Sequence, residues 1–278
     1  MLTTIVTTSE LQVHLTDEDW AIVDCRFDLA RAQWGWEEYQ KSHIPGAVYA
    51  DMNHDLAGPI TPDSGRHPLP DIQRLSRRLS EWGIGKDTQV VAYDDAGGSF
   101  AVRLWWLLRF LGHPSVAVLD GGFPKWTGEG RPTASGIETR PPAEFIPHPA
   151  WDMLVTAEEV DRIRQDPSYR LIDARSHDRF SGQNEPIDPV AGHIPGAVNR
   201  FYARNLTRQG TFLPPETLRE QFSTLLGSID PDHAVVYCGS GITSIHHLLA
   251  MELAGLPGAR LYLGSWSEWI RDRNRPIS

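Results

Sequence analysis

The six residues HIPGAV at positions 43–48 recur letter for letter at positions 193–198. A second pair of matches precedes them, because IVDCR at 22–26 corresponds to LIDAR at 171–175. The distance between the copies is close to the size of a whole domain, so it indicates two similar globular domains and not a solenoid of short repeats. We therefore expect a duplicated fold.

Short apolar runs alternate with longer helical patterns along both copies. Bounded by Asp, Gly or Pro, these runs predict strands at 21–23, 90–93, 116–119, 171–172, 234–237 and 261–263. The helical patterns lie at 72–82, 100–111, 215–226 and 243–254. This alternation predicts an α/β fold with two tandem domains, each a mainly parallel sheet flanked by helices. We place the domains at 1–130 and 150–278, joined by a linker at 131–149 that is rich in Pro, Gly and Thr.

Composition limits the classes of partner. The formal charge of −10 argues against nucleic acid and anionic membranes as partners. The longest apolar stretch, at 102–111, contains two arginines and is too short to span a bilayer, and the start of the chain lacks a signal-peptide pattern. Two cysteines cannot form a disulfide framework, which favours a cytoplasmic location. Two complementary domains are consistent with a monomer.

The loop CGSGITS at 238–244 has the features of a nucleophile site. Cys238 directly follows a predicted buried strand and precedes a predicted helix, at the sheet edge where open α/β folds bind ligands. Gly239 and Gly241 let successive backbone N–H groups converge into an anion-binding nest, and the helix adds its positive end. Both effects favour the thiolate. We predict that Cys238 is the nucleophile.

The first copy lacks this thiol. Asp94 occupies the position of Cys238, so we expect the first domain to be non-catalytic. The other cysteine, Cys25, corresponds to Ala174 in the second copy, which indicates a packing role for a small side chain. One copy therefore carries the chemistry.

The duplicated unit, the paired Asp-x-Arg and HIPGAV segments and the CGSGITS loop together resemble the tandem-domain sulfurtransferases of the rhodanese family. The CGSG loop is similar to that of the members that use 3-mercaptopyruvate, whereas members that prefer thiosulfate carry larger basic residues after the cysteine. The resemblance implies that sulfane sulfur passes from a small anionic donor, through a Cys238 persulfide, to a thiophilic acceptor such as cyanide, a thiol or a thioredoxin-like protein. It implies no metal and no organic cofactor. Thiosulfate as the donor remains the alternative, and a non-catalytic persulfide carrier or docking module is an alternative of another class.

The resemblance also assigns binding residues. It implies that Arg179, which precedes Phe180, binds the donor, and that the loop holds the persulfide charge through Gly239, Gly241, Ile242 and Thr243. A second substrate arginine of the mercaptopyruvate members is missing from the stretch at 182–189. Arg66, Arg200 and Arg204 are the candidates to replace it.

A proton relay of the family corresponds to Ser240 and His67. The position of its aspartate holds Asn53, and Asp51 or Asp55 are the neighbouring carboxylates that could serve instead. The other alternative is that His67 acts unassisted. We expect His246 and His247, on the helix after the loop, to be packing or surface residues.

Phosphatases that share this fold are a rival enzyme class. They use a C-x5-R loop, because the arginine stabilises the transferring phosphoryl group. Counting from Cys238, the arginine position is Ser244. This argues against phosphoryl transfer.

Overall fold

The computed structural model describes all 278 residues and divides them into two compact units. The first unit comprises Met1–Gly58, Pro70–Ala150 and Leu206–Phe212. The second unit comprises Pro59–Leu69, Trp151–Asn205 and Leu213–Ser278. The stretch 131–149 thus belongs to the first unit, and the two short segments 59–69 and 206–212 each belong to the unit opposite to that expected from their position in the chain. None of the helices is long and apolar enough to cross a membrane.

The first unit is built on a five-stranded parallel sheet. Its strands are β1 (Ile5–Val6), β2 (Trp20–Asp24), β3 (Val48–Tyr49), β4 (Gln89–Tyr93) and β5 (Val116–Leu119), in the order β1-β5-β4-β2-β3. Its helices are α1 (Thr8–Val13), α2 (Trp34–Lys41), α3 (Ile72–Glu81), α4 (Ala101–Phe110) and α5 (Gly122–Gly128). The central strand β4 is buried along its whole length, as expected for a sheet covered on both faces.

The second unit repeats this plan with a four-stranded parallel sheet. Its strands are β6 (Arg170–Asp173), β7 (Val198–Asn199), β8 (Ala234–Tyr237) and β9 (Arg260–Leu261), in the order β7-β6-β8-β9. Its helices are α6 (Ala157–Ile163), α7 (His177–Phe180), α8 (Pro215–Leu226), α9 (Ile245–Leu253) and α10 (Ser265–Trp269). Short 3-10 helices lie at Trp151–Met153, Tyr202–Asn205 and Pro231–His233. Helix α9 begins at Ile245, later than the predicted start at 243, because the residues before it form the loop after β8.

The recurring HIPGAV segment makes the same contacts in both units. The Ile44 N–H donates to the Tyr93 hydroxyl at 3.2 Å, and the Ile194 N–H donates to the Tyr237 hydroxyl at 3.2 Å. Each tyrosine ends the central strand of its sheet, so the repeated residues connect the turn before β3 or β7 to that strand. The sequence identity therefore has a structural cause.

Buried ion pairs explain the matching Asp-x-Arg segments. Arg26 pairs with Asp24 at 2.6 Å in the first unit, and Arg175 pairs with Asp173 at 2.7 Å in the second. Removing one partner would leave a buried charge uncompensated, which is strongly destabilising. Both arginines are therefore structural, including the one in the unit that contains Cys238.

Candidate active site

The loop between β8 and α9 places Cys238 at the carboxyl end of an interior strand. The Cys238 N–H donates to the Ser265 hydroxyl oxygen at 3.1 Å, and its carbonyl accepts from the Trp266 N–H at 3.0 Å. Both backbone groups of the cysteine are thus fixed by the start of α10. The residue is only 2% exposed, so its side chain is almost completely shielded from solvent.

Gly241 makes the turn that curls this loop around the sulfur. Its φ is +73°, and a Cβ at this position would lie 2.1 Å from the carbonyl oxygen of Leu263. A side chain is therefore excluded both by backbone conformation and by space. The resulting turn directs the N–H groups of Ser240 and Ser244 and the Thr243 hydroxyl toward the cysteine sulfur.

The two buried cysteines have opposite electrostatic surroundings. Burial would raise the pKa of the Cys238 thiol, but hydrogen bonds from the Thr243 hydroxyl and from the N–H groups of Ser240 and Ser244 outweigh burial and lower it. Burial raises the pKa of Cys25 well above its usual range, and the carboxylates of Asp24, Asp94 and Asp55 raise it further. Since the thiolate is the reactive form, only Cys238 is prepared for nucleophilic attack.

The matching loop of the first unit shows that this backbone arrangement holds an anion. The carboxylate of Asp94, at the position of Cys238, accepts N–H bonds from Ala96 and Gly98 at 2.8 and 2.9 Å. It also accepts from Phe100 and Ala101 at 2.7 and 2.8 Å. Four amides of one loop thus converge on two carboxylate oxygens. By correspondence, the loop of the second unit can hold the charge of a thiolate or a persulfide.

Two arginines of the second unit converge above Gly239. A Cβ built on this glycine would lie 2.9 Å from Nη2 of Arg66 and 3.4 and 3.6 Å from Nη2 and Nη1 of Arg179. The missing side chain therefore makes room for two guanidinium groups beside the cysteine. Arg66 is the one of the three candidates for the second arginine that the structure places here.

Carboxylates behind the arginines fix their orientation. Arg179 binds Glu185 through Nε and Nη2, at 2.7–3.1 Å, and Nη2 also contacts Asp188 at 3.1 Å. Arg66 binds the other oxygen of Asp188 through Nη1. These bonds leave Nη1 of Arg179 and Nη2 of Arg66 facing the loop. An incoming anion would meet two donors already held in place.

Ser240 and His67 form the hydrogen bond that the resemblance implies. The Ser240 hydroxyl lies 2.9 Å from Nδ1 of His67, and both residues are buried. The segment 59–69 that carries His67 and Arg66 belongs to the same compact unit as Cys238, and its Arg66 N–H donates to the Ser267 hydroxyl at 3.0 Å. The serine and histidine are thus available as a pair beside the cysteine.

The carboxylates considered for the relay lie in the first unit, where they organise a turn. Asp51 accepts the N–H groups of Asn53 and His54, each at 2.8 Å, and its own N–H donates to Asp55 at 2.9 Å. Asp55 also binds Arg78 at 3.0 Å. Through these bonds Asp51 and Asp55 stabilise the local turn. The relay roles of Asn53 and Asp51 stay predictions.

The remaining arginine candidates have other surroundings. Arg200 is 3% exposed and binds Asn205, Gln221 and His247, and burial together with Arg204 lowers its pKa to about 10. Arg204 is exposed.

His246 and His247 are fully buried and share Asn205 as a partner, which agrees with the expected packing role.

Ser265 is a site residue that the sequence analysis did not select. It is the only residue other than glycine with a positive φ, at 55°, and its counterpart in the first unit is Gly122 at φ 56°. Its hydroxyl accepts the Cys238 N–H and donates to the Tyr262 carbonyl at 3.0 Å. Serine in the left-handed region costs about 1 kcal/mol or more relative to glycine. A comparison of the two copies, which have Gly122 in one and Ser265 in the other, could have indicated this residue from the sequence.

The Thr243 hydroxyl is one of the donors that stabilise the Cys238 thiolate, and a substitution can test its contribution. Thr243→Val removes the hydroxyl at nearly constant shape, so we expect the pKa of Cys238 to rise. At neutral pH the alkylation of Cys238 by iodoacetamide should then slow by roughly tenfold, as for the loss of one hydrogen bond to a charged group. The measurement is the alkylation rate as a function of pH, followed by mass at Cys238. Thr224→Val, on the exposed side of α8, is the matched control; an unchanged profile in Thr243→Val would contradict the assignment.

Several known proteins are similar to this chain in sequence and in fold. The rhodanese-like domain model matches residues 7–129 and 156–272. The probable 3-mercaptopyruvate sulfurtransferase of Pseudomonas aeruginosa is 45% identical over 276 residues, covering 99% of this chain and 97% of that protein. Thiosulfate sulfurtransferase of Mus musculus is 36% identical over 242 residues, covering 84% of this chain and 80% of that protein. The structure of 3-mercaptopyruvate sulfurtransferase from Leishmania major has a TM-score of 0.85 at 30% identity, covering 96% of this chain and 74% of that one.

The chain belongs to the rhodanese-like family and carries two domains of that family in tandem. This confirms the expected family and the expected α/β fold of parallel sheets flanked by helices. The two curated relatives described above are both named as sulfurtransferases, which confirms the expected enzyme class. Both of the sulfur donors considered from the sequence occur among their names.

Proposed function

We propose that this protein transfers sulfane sulfur from 3-mercaptopyruvate, through a persulfide on Cys238, to cyanide or a thiol. The observation that carries the proposal is the convergence of Arg66 and Arg179 above Gly239, next to a cysteine whose pKa is lowered. A nucleophilic sulfur beside two guanidinium groups suits a small anionic sulfur donor. The chain's net charge of −10 makes this local positive site necessary for such a donor.

The first half-reaction begins when the Cys238 thiolate attacks the thiol sulfur of the donor. A sulfur–sulfur bond forms, the carbon–sulfur bond of mercaptopyruvate breaks, and its electron pair leaves on carbon as the enolate of pyruvate. The enolate takes up a proton to become pyruvate, and we assign its delivery to the Ser240 hydroxyl that is bonded to His67. The S–H proton that came with the donor sulfur replaces the proton given up by this pair, so the persulfide is left as an anion. The persulfide charge stays in the loop, held by the amides of Ser240 and Ser244 and by the Thr243 hydroxyl.

The second half-reaction returns the enzyme to its starting state. The acceptor attacks the outer sulfur of the persulfide, the sulfur–sulfur bond breaks, and Cys238 leaves as the thiolate. With cyanide the product is thiocyanate, and with a thiolate it is a new persulfide. No oxidant or reductant is consumed beyond donor and acceptor.

Two features favour mercaptopyruvate over thiosulfate as the donor. Gly239 leaves space for both arginines, whereas a side chain there would displace the Arg66 guanidinium from its place beside the loop. The Ser240–His67 pair has a task with mercaptopyruvate, because the departing carbon must be protonated, and has none with thiosulfate, which releases sulfite directly. Free, unpaired cysteines support the further proposal of a reducing, cytoplasmic location.

A side-by-side assay of both donors tests the proposal. Sulfur transfer to cyanide is measured with 3-mercaptopyruvate and with thiosulfate, using Cys238→Ser as the blank. We expect a kcat/KM advantage of at least about 100-fold for mercaptopyruvate. This is the combined effect expected if thiosulfate makes one charge-assisted contact fewer and gains nothing from the proton transfer. A thiosulfate advantage would establish the alternative donor. Turnover of neither donor would favour the non-catalytic persulfide carrier.

We expect Ser265 to position Cys238 for catalysis. The variant Ser265→Gly distinguishes this positioning role from a purely structural one. Ser265→Gly relieves the left-handed backbone but removes the acceptor of the Cys238 N–H. We expect kcat to fall by roughly tenfold, the value of one hydrogen bond, while the melting temperature stays within a few degrees of the wild type. The persulfide-forming burst, measured in single turnover, should slow by the same factor. Full kcat with altered stability would make Ser265 structural only.

A further inference from the structure

A cavity of about 480 Å³ is lined in part by Arg66, whose Nη2 also lies beside Gly239 of the cysteine loop. It is contained in the second unit and is lined by residues from three segments: 66, 187–190 and 267–273. Arg66, Arg271 and Arg273 supply its cationic groups, and Ile187, Val190 and Ile270 supply apolar wall. The mechanism above uses none of these residues except Arg66.

This cavity is positively charged in an acidic protein. Arg271 and Arg273 are exposed and form no ion pair, whereas the neighbouring Asp272 and Glu158 are both engaged by Arg275. The only carboxylate in the lining, that of Asp188, is already bound by Arg66 and Arg179. Nε of Arg66 is buried without a hydrogen-bond partner. The unneutralised charge of Arg271 and Arg273 therefore favours an anionic ligand.

Two residues that line the cavity, Ser267 and Arg66, also contact Gly239, the residue that follows Cys238. Ser267 lines it, accepts the Arg66 N–H at 3.0 Å and donates its own N–H to the Gly239 carbonyl at 2.9 Å. Arg66 lines it as well, and its Nη2 faces Gly239. A molecule seated among the three arginines would thus lie next to the residue that follows Cys238.

We propose that this cavity binds the sulfur acceptor, and that the preferred acceptors are small thiols carrying two or more carboxylates. The proposal rests on the proposed function and specifies its second half-reaction. Carboxylates of the acceptor pair with Arg271 and Arg273, and its carbon chain packs on Ile187 and Ile270. Its thiolate attacks the outer sulfur of the Cys238 persulfide, the persulfide bond breaks, Cys238 returns to thiolate, and the acceptor leaves as a persulfide.

Charge reversal of the two exposed arginines tests the proposal. The acceptors are mercaptosuccinate, which carries two carboxylates, and 2-mercaptoethanol, which carries none, with 3-mercaptopyruvate as the donor. We expect the ratio of kcat/KM for mercaptosuccinate to that for 2-mercaptoethanol to fall by about tenfold in Arg271→Glu/Arg273→Glu. Arg162→Glu, an exposed arginine on α6 outside the cavity, should leave the ratio unchanged. The milder pair Arg271→Ala/Arg273→Ala should change it in the same direction by a smaller factor.

A binding measurement separates this proposal from the proposed function. The S-methyl derivative of mercaptosuccinate cannot accept sulfur, and its binding to the full chain is followed by calorimetry. We expect binding that weakens with added salt and about tenfold weaker binding in Arg271→Glu/Arg273→Glu, whether or not the chain turns over mercaptopyruvate. Equal binding in the variant and in the wild type, or an unchanged acceptor ratio, would overturn the assignment of the cavity. Absence of turnover together with the expected loss of binding would refute the sulfur transfer and leave an anion site.

Discussion

Cys238→Ser should abolish sulfur transfer from both donors, reducing kcat by more than about 10³-fold. The serine hydroxyl is a poor nucleophile and cannot form a persulfide, so both half-reactions are lost together. The fold should be retained, because the backbone bonds of Cys238 to Ser265 and Trp266 do not involve its side chain. The measurement is thiocyanate formation from cyanide, with circular dichroism as the check on folding.

Cys25→Ala is the matched control for this variant. Cys25 is as buried as Cys238, but its counterpart in the second unit is Ala174, which is also fully buried. The change removes one sulfur from a packed core and should cost about 1 kcal/mol of stability without altering kcat. Sulfur transfer retained by Cys238→Ser, or lost in Cys25→Ala with the fold intact, would refute the identity of the nucleophile.

Arg66→Ala should raise the KM for 3-mercaptopyruvate by about 10- to 100-fold. One charge-assisted hydrogen bond to the donor is worth about 1.5–3 kcal/mol, which corresponds to this range. The fold tolerates the change, since Asp188 keeps its contact with Arg179. The measurement is the full dependence of initial rate on donor concentration, so that KM and kcat are separated.

Arg179→Ala should have a similar effect on KM but a larger effect on stability. Its removal leaves the buried Glu185 with Arg175 as its remaining cationic partner. The double variant of Arg66 and Arg179 should be non-additive, because both side chains bind Asp188. Arg204→Ala, an exposed arginine away from these carboxylates, is the control. A normal KM with a lowered melting temperature in both Arg66→Ala and Arg179→Ala would make the pair structural.

Much of the fold followed from the sequence because the long buried strands carry a clear signal. The continuous apolar runs at β2, β4, β5, β6 and β8 are typical of strands buried on both faces, and with four or five residues each they are shorter than a typical helix. Strands β1, β3, β7 and β9 have only two residues each, which is too short for any periodicity, and they form by pairing with a neighbouring strand. The predicted strand at 261–263 occurs at Arg260–Leu261, because the chain leaves the sheet early to reach α10.

The site could be predicted only where its residues are local to a motif. Cys238 and Arg179 lie in recognisable segments, and the structure brings them together. The choice of Arg66 over Arg200 and Arg204 depends on the packing of residues 59–69 with the unit that contains Cys238, and no local pattern encodes that. Ser265 required a comparison of the two copies, because its role depends on a left-handed backbone that the sequence alone does not display.

The most direct test of the central claim is the mass of the intact protein after incubation with 3-mercaptopyruvate and removal of the excess donor. We predict a gain of one sulfur atom per chain, located on Cys238 by peptide mapping, which disappears when cyanide is added and thiocyanate forms in equal amount. No gain in mass, or a gain located on Cys25, would contradict the account.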